Sequence, residues 1–298
     1  MIEPLQVLWQ PAGESMPARD GRALVDISDG DTPNVRMPIR MLSVDTPEVT
    51  ARSEVRAAAI DAEFAQLADW IEDGTAPISR ALGAVLGPKL ATGRAGTLQF
   101  RLGTQASAFA KANAEQRLTR PNGSRRNLFL RTADAPFDAN HRMLAYVAPD
   151  YSAAERAAMT RAERSTFNLD LVRAGWAATF VLYPSVPGER DLPLLVAAAA
   201  QARAAGLGMW AESDMLPAYE YRALEKLFRL TRRIVAGEDV DRFSWRDRYC
   251  ADLRSRTLHG PEGYSDVPPE YRLWIWPADV PDALARLNLV PAPDLVSA

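Results

Sequence analysis

Asp29-Gly30-Asp31-Thr32 and, a few residues on, Ile39-Arg40-Met41-Leu42-Ser43-Val44-Asp45-Thr46-Pro47-Glu48 set carboxylates and an arginine among short apolar segments. The alternation of Ala23-Leu24-Val25-Asp26-Ile27 and of Ile39 to Val44 suits β-strands. Gly30 and Pro33-Asn34 between them suit turns, so Asp31 and Asp45 are expected near neighbouring strand ends. Two carboxylates held close repel unless a cation neutralises them. Oxygen donors without Cys or His nearby favour a hard ion, Ca²⁺ or Mg²⁺, over zinc or copper. Arg40 adds the planar fork that matches the paired oxygens of a phosphate. An acidic metal site beside an arginine fits phosphodiester chemistry, whereas a D-G-D-T turn alone would be an ordinary hairpin.

Further pieces follow in the chain: His141-Arg142-Met143-Leu144-Ala145-Tyr146, then Leu169-Asp170-Leu171-Val172-Arg173-Ala174-Gly175-Trp176-Ala177, with Gly103 to Phe109 and the Ala-rich stretch ending Gly206-Leu207-Gly208-Met209-Trp210 as helices. In order and internal spacing these resemble the motifs of the staphylococcal nuclease (thermonuclease) family over residues about 22–210. The resemblance implies an α+β fold, a small five-stranded barrel of the oligonucleotide-binding type with packed helices. It implies a Ca²⁺-dependent nuclease, a hydrolase of DNA or RNA phosphodiester bonds that leaves 3′-phosphate ends, with Mg²⁺ or Mn²⁺ as substitute ions. Position by position, Asp31, Asp45 and the carbonyl of Thr46 match the metal ligands, and Asp29 matches a carboxylate supporting the ion at longer range. Glu48 matches the residue that orients or deprotonates water. Arg40 and Arg142 match the arginines that grip the phosphate, through charge and positioning, since arginine scarcely deprotonates.

The departures from the family pattern concern the nucleotide pocket. Ala139 and Asn140 stand where a lysine and a tyrosine precede the second arginine, and His141 and Met143 replace the glycines flanking it. Of two pocket tyrosines one is Val181 and the other is kept as Tyr183, so Tyr183 and Asn140 are the candidate substrate contacts. Base and strand preference are therefore not carried over from the family.

The chain has 298 residues, a formal charge of −3 and a single cysteine, Cys250. The charge argues against a generally basic surface, so a polyanion would need a local patch. Arg117, Arg120, Arg125, Arg126 and Arg131, around Pro121-Asn122-Gly123, are the candidate patch. One cysteine excludes an intramolecular disulfide. The first thirty residues lack a leader pattern, which gives the expectation of a cytoplasmic protein. No apolar run is expected to span a membrane, the stretch Leu194 to Ala205 being short and interrupted by Gln201 and Arg203. With only His141 and His259, a His-based zinc site or a Ser-His-Asp triad is disfavoured.

The nuclease-like domain is expected over residues 1–210, with a helical insertion at about 50–100. Val55, Ile60, Phe64, Leu67 and Ile71 have helical spacing up to Gly74, and Leu82, Leu86 and Leu90 share a face before Gly93. Together they predict a helical hairpin leaving from beside Glu48, either gating the site or packing on the barrel's flank. Ser152 to Glu155 and Thr160 to Glu163 have capping-box spacing with no chemistry attached. Residues 211–298 form a C-terminal extension, read as mainly helical and then Pro-rich. In it Tyr221, Leu224, Leu227, Phe228 and Ile234 make a stripe ending near Gly237, followed by arginine-flanked aromatics from Phe243 to Trp276. Those aromatics pin the extension to the main domain, or bind nucleic acid or a protein partner. The rival to an enzyme is a non-catalytic binding module of the same fold, or a nuclease switched by a partner.

Overall fold

The computed structural model describes residues 24–28 and 31–296. In chain order the elements are β1 (Leu24–Ile27), β2 (Pro33–Val35), β3 (Ile39–Met41), β4 (Ser43–Asp45), α1 (Glu54–Glu72), α2 (Arg80–Ala91), α3 (Ala95–Leu118), β5 (Leu128–Phe137), β6 (Met143–Pro149), α4 (Ala153–Ala158), α5 (Phe167–Arg173), β7 (Ala178–Leu182), α6 (Leu192–Ala204), α7 (Ala218–Val235), β8 (Tyr249–Asp252), β9 (Thr257–His259), β10 (Arg272–Ile275), α8 (Val280–Leu287), β11 (Val290–Pro291) and α9 (Pro293–Val296). The fold is α+β. The expected closed five-stranded barrel is not confirmed: among the described residues the strands form three open sheets, β1-β2, β3-β6-β5 and β11-β9-β8-β10-β7-β4.

The reason lies at Leu42 and Ser43. The expected strand from Ile39 to Val44 is two strands, because β3 pairs in parallel with β6 while β4 pairs antiparallel with β7. Ser43 turns the chain with φ +60°, a left-handed conformation that a non-glycine residue adopts only when its surroundings hold it there. Those surroundings are polar and specific. Ser43 Oγ and the Tyr146 hydroxyl lie 2.7 Å apart, and the buried Asn168 amide donates to Leu42 O at 2.9 Å while its oxygen accepts from Val147 N at 3.0 Å.

The helical insertion has the predicted form. Ser53 and Ser79 cap α1 and α2, each accepting a bond from the backbone in the first turn, and Gly74 and Gly93 follow the helix ends at φ +79° and +65°. Its Ile60, Phe64, Leu67, Leu82, Leu86 and Leu90 are buried in one core with Tyr221, Leu224, Leu227 and Phe228 of α7. Ring contacts lock the pairing, Phe64 on Tyr221 at 5.2 Å and Trp70 on Phe228 at 5.5 Å. The hairpin is thus a layer that carries α7.

The extension differs from the mainly helical reading. After α7, which ends before Gly237 (φ +79°) as its stripe predicts, it contributes β8 to β11, and β10 runs parallel beside β7. The short runs around Cys250, Leu258 and Leu273 are too brief to show a period, and they are strands because they complete a sheet edge. Trp245 and Trp274 are buried in the core with the hairpin, whereas Phe243 and Trp276 remain exposed.

Contrary to expectation, Leu192–Ala211 reaches the length and hydropathy of a membrane span. In the structure α6 stops at Ala204, Gly206 follows at φ +60°, and Leu195, Ala198, Ala199 and Ala202 are buried against neighbouring elements.

Candidate functional site

Asp45 ends β4 with 1% of its surface exposed, and Glu48 lies one turn of chain beyond it. The long helix α3 sets this segment in place. A Cβ on Gly103 would stand 2.6 Å from Pro47 O and 2.9 Å from Glu48 O, so only glycine lets the helix lie this close. One turn earlier, buried Gln99 accepts a bond from Glu48 N at 2.8 Å and donates to Leu216 O. Gln99 therefore ties the 47–49 segment to the start of the extension.

Arg40 reaches from β3 and donates from Nη2 to Asp45 Oδ1 at 2.8 Å. The other side of Asp45 is met by Arg222 of α7, whose Nη2 donates to Oδ2 at 2.8 Å and whose Nη1 donates to Oδ1 at 3.2 Å and to Glu48 Oε1. Burial works against the Arg222 charge, but Asp45 and Glu48 more than offset it and hold the guanidinium pKa above its ordinary value. Arg248 stands near by. Its guanidinium faces the rings of Phe180, Trp274 and Trp276 at 5.2, 5.7 and 5.1 Å, its Nε is buried without a hydrogen-bond partner among the described residues, and burial pushes its pKa down. Glu225, one helical turn beyond Arg222, has its carboxyl pushed up by burial, with Glu48 and Glu63 adding to the shift and Arg229 and Arg222 opposing it.

None of the other expected site residues bonds Asp45 or Glu48 through its side chain among the described residues. Asp31 is exposed in the turn of the β1-β2 ribbon, which pairs with neither β3 nor β4, and its carboxylate accepts from Thr32 Oγ1 at 3.2 Å. The expectation that Asp31 and Asp45 sit on neighbouring strands is therefore not met. Asp29 lies outside the described residues, and Thr46 follows Asp45 half-buried. Arg142 precedes β6, one strand over from Arg40, since Met143 pairs with Ile39. Its Nε donates to Asp138 Oδ2 at 2.7 Å, and against the effect of burial these bonds hold the Asp138 carboxyl below its ordinary range. Asn140 is exposed in the same turn, its N–H bonded to Asp138 Oδ1 at 3.0 Å. Tyr183 is buried with Val44, Leu171 and Leu195 in a core separate from that of the hairpin, and its hydroxyl donates to Asp282, a packing position rather than an open stacking surface.

These placements do not fit a calcium ion. A hard cation needs six to eight oxygens. Here both Asp45 oxygens and one of Glu48 are already bonded to guanidinium groups, and no group of three or more His, Cys, Asp or Glu residues converges among the described residues.

A cavity of about 600 Å³ is lined in part by Leu42 and Ser43, at the start of the strand that ends in Asp45. Ser43, two residues before Asp45, lines it together with Phe129, Tyr146, Arg131, Arg161, Arg164 and Arg173. Its one acidic lining residue, Asp191, is bonded by Arg161. Four arginines of the patch expected around Pro121 are instead committed to neighbours: Arg117 to Asp170, Arg120 to Arg125 O, Arg125 to Glu115 and Arg126 to Glu155. Only Arg131 of that set opens on the cavity. The stretch Thr160 to Glu163, read as structural alone, delivers Arg161 to it, and Arg164 follows directly after.

Sequence reasoning missed Arg222, Gln99 and Arg248. Arg222 had a signal: it falls next to the apolar stripe at Tyr221 and Leu224, where a charged residue half covered by packing is expected to find a partner. Arg248 lay within the arginine-flanked aromatic segment already singled out, though not as a neighbour of Asp45, and Gln99 had no signal short of the tertiary arrangement.

No curated protein matches the chain closely enough to be named beside it. The family model described as staphylococcal nuclease homologue matches residues 38–212, more than half of the chain, including Arg40, Asp45, Glu48 and Arg142 but neither Arg222 nor Arg248. With those motifs in order along the match, the chain belongs to the staphylococcal nuclease family.

Proposed function

We propose that this protein hydrolyses phosphodiester bonds in DNA or RNA. The observation that carries the reading is the bonded cluster of Arg40, Asp45 and Glu48 at the end of β4, in a protein whose β4 also contributes Ser43 to an arginine-lined cavity. Family membership supports the same chemistry, since nucleases of this family are hydrolases of nucleic acid. Arg131, Arg161, Arg164 and Arg173 supply positive charge for the backbone, and Phe129 and Tyr146 supply ring faces for bases. Arg40 and Arg142 carry the charge that builds on phosphorus during in-line attack, and Glu48 orients and deprotonates the attacking water. The 5′-oxygen leaves, giving a 3′-phosphate end.

Calcium typically accompanies this chemistry in the family, but the residues here are not arranged to hold it while Arg222 bonds Asp45 and Glu48. The same contact favours a second reading, a nucleic-acid-binding module whose acids have been neutralised.

Labelled single-stranded DNA, duplex DNA and RNA, incubated with Ca²⁺, Mg²⁺, Mn²⁺ or EDTA, test the two readings. The wild type is expected to cut at least one substrate, with 3′-phosphate ends. Arg40→Ala and Glu48→Ala are each expected to lower the rate by about a hundredfold or more. Tight binding with no cut in any condition would replace the enzyme by the module.

A further inference from the structure

We infer that Arg222, from the C-terminal extension, is the resident cation of the acidic centre and keeps Asp45 and Glu48 closed to divalent metal ions. The inference rests on reading those two acids as the reaction centre. Arg222 meets both Asp45 oxygens, at 2.8 and 3.2 Å, and Glu48 Oε1 as well, so a single guanidinium occupies carboxylate oxygens that a divalent ion would need. A fork that bonds two carboxylates at once is held more firmly than a single surface pair.

The charge count works in the same direction. Arg40 and Arg222 together bring two positive charges to the two carboxylates of Asp45 and Glu48, so the pair is already neutralised and a divalent cation gains less by approaching it. Arg222 is also held from behind. Its neighbours Tyr221 and Leu224 are buried in the core that α1 and α2 share with α7, and Arg248 is seated on the aromatic rings of Phe180, Trp274 and Trp276. Both arginines lie beyond residue 212, where the family match ends. The extension thus supplies a cation that the matched part of the chain lacks, and metal entry must compete with α7.

Terbium luminescence, titrated on the full chain and competed with Ca²⁺, measures the competition without any need for turnover. Arg222→Gln is expected to bind Tb³⁺ on the order of ten- to a hundredfold more tightly than the wild type. Adding Asp45→Asn is expected to abolish the gain, locating the ion at Asp45. Equal affinity of wild type and Arg222→Gln, or a gain that survives Asp45→Asn, would overturn the inference. Should Arg222→Gln fail to fold, Arg222→Lys keeps the charge but not the fork. It is expected to give a smaller gain, and the wild-type affinity there would count against the inference equally. A gain of ion in Arg222→Gln when neither it nor the wild type cuts nucleic acid upholds the inference and removes the nuclease reading, which keeps the two failures distinct.

Discussion

Asp45 shows how much of the centre depends on single side chains. It is almost fully buried, and Arg40 and Arg222 each bring a charge-assisted bond to it. Glu225, on the same face of α7 as Arg222, has no ion pair among the described residues, and burial raises its carboxyl pKa from the ordinary 4.5. An acid with a raised folded-state pKa binds its proton more tightly folded than unfolded. Its contribution to stability is then full below the unfolded value and lost as pH rises through the folded one. Glu225→Gln removes that loss, so the variant should gain on the wild type as pH climbs from about 4.5. Urea unfolding of both proteins at pH 4 and pH 7 checks this, and an unchanged difference would mean that Glu225 is well solvated.

Among the elements, the pairing of the α1–α2 hairpin with α7 governs the site from a distance. Phe64 is 1% exposed and stacks obliquely on Tyr221, the residue before Arg222. Truncating Phe64 to Ala should cost about 3–5 kcal/mol in denaturant unfolding, from lost burial plus the cavity left behind. A loss below about 1 kcal/mol would mean that the hairpin packs loosely. These helices were legible in the sequence because the spacing of Ile60, Phe64 and Leu67, the serine caps and the glycine stops are all local signals. The strands were less so. Ile39 to Asp45 reads as one alternating segment, and nothing local announces that Ser43 will be forced to positive φ so that its two halves join different sheets. In the same way, Leu24–Ile27 reads correctly as a strand, but its partner is β2 and not the strand that carries Asp45.

At the scale of the whole molecule, β10 lies between β7 and β8, so the extension completes the sheet that ends at β4 and Asp45. Cys250, on β8, reports on that continuity. It is fully buried, and burial pushes its thiol up to about 12. The native protein should therefore resist a thiol reagent at pH 8 and react only across the unfolding transition. Rapid labelling without denaturant would show that the extension's strands open independently of the rest.

By itself, the sequence determined the family, the α+β class and the helices between residues 54 and 91, and it singled out Arg40, Asp45, Glu48 and Arg142 as candidates, because motif order, helical periodicity and capping are properties of short stretches. Only the tertiary structure decided what those residues meet. Arg222 is separated from Asp45 by most of the chain, Asp31 sits on a ribbon of its own, and the arginine-lined cavity gathers residues from β5 and from the segments on either side of α5. Charge complementarity between residues so far apart leaves no periodic trace in the sequence, and it arises only when packing of apolar faces elsewhere brings the elements together.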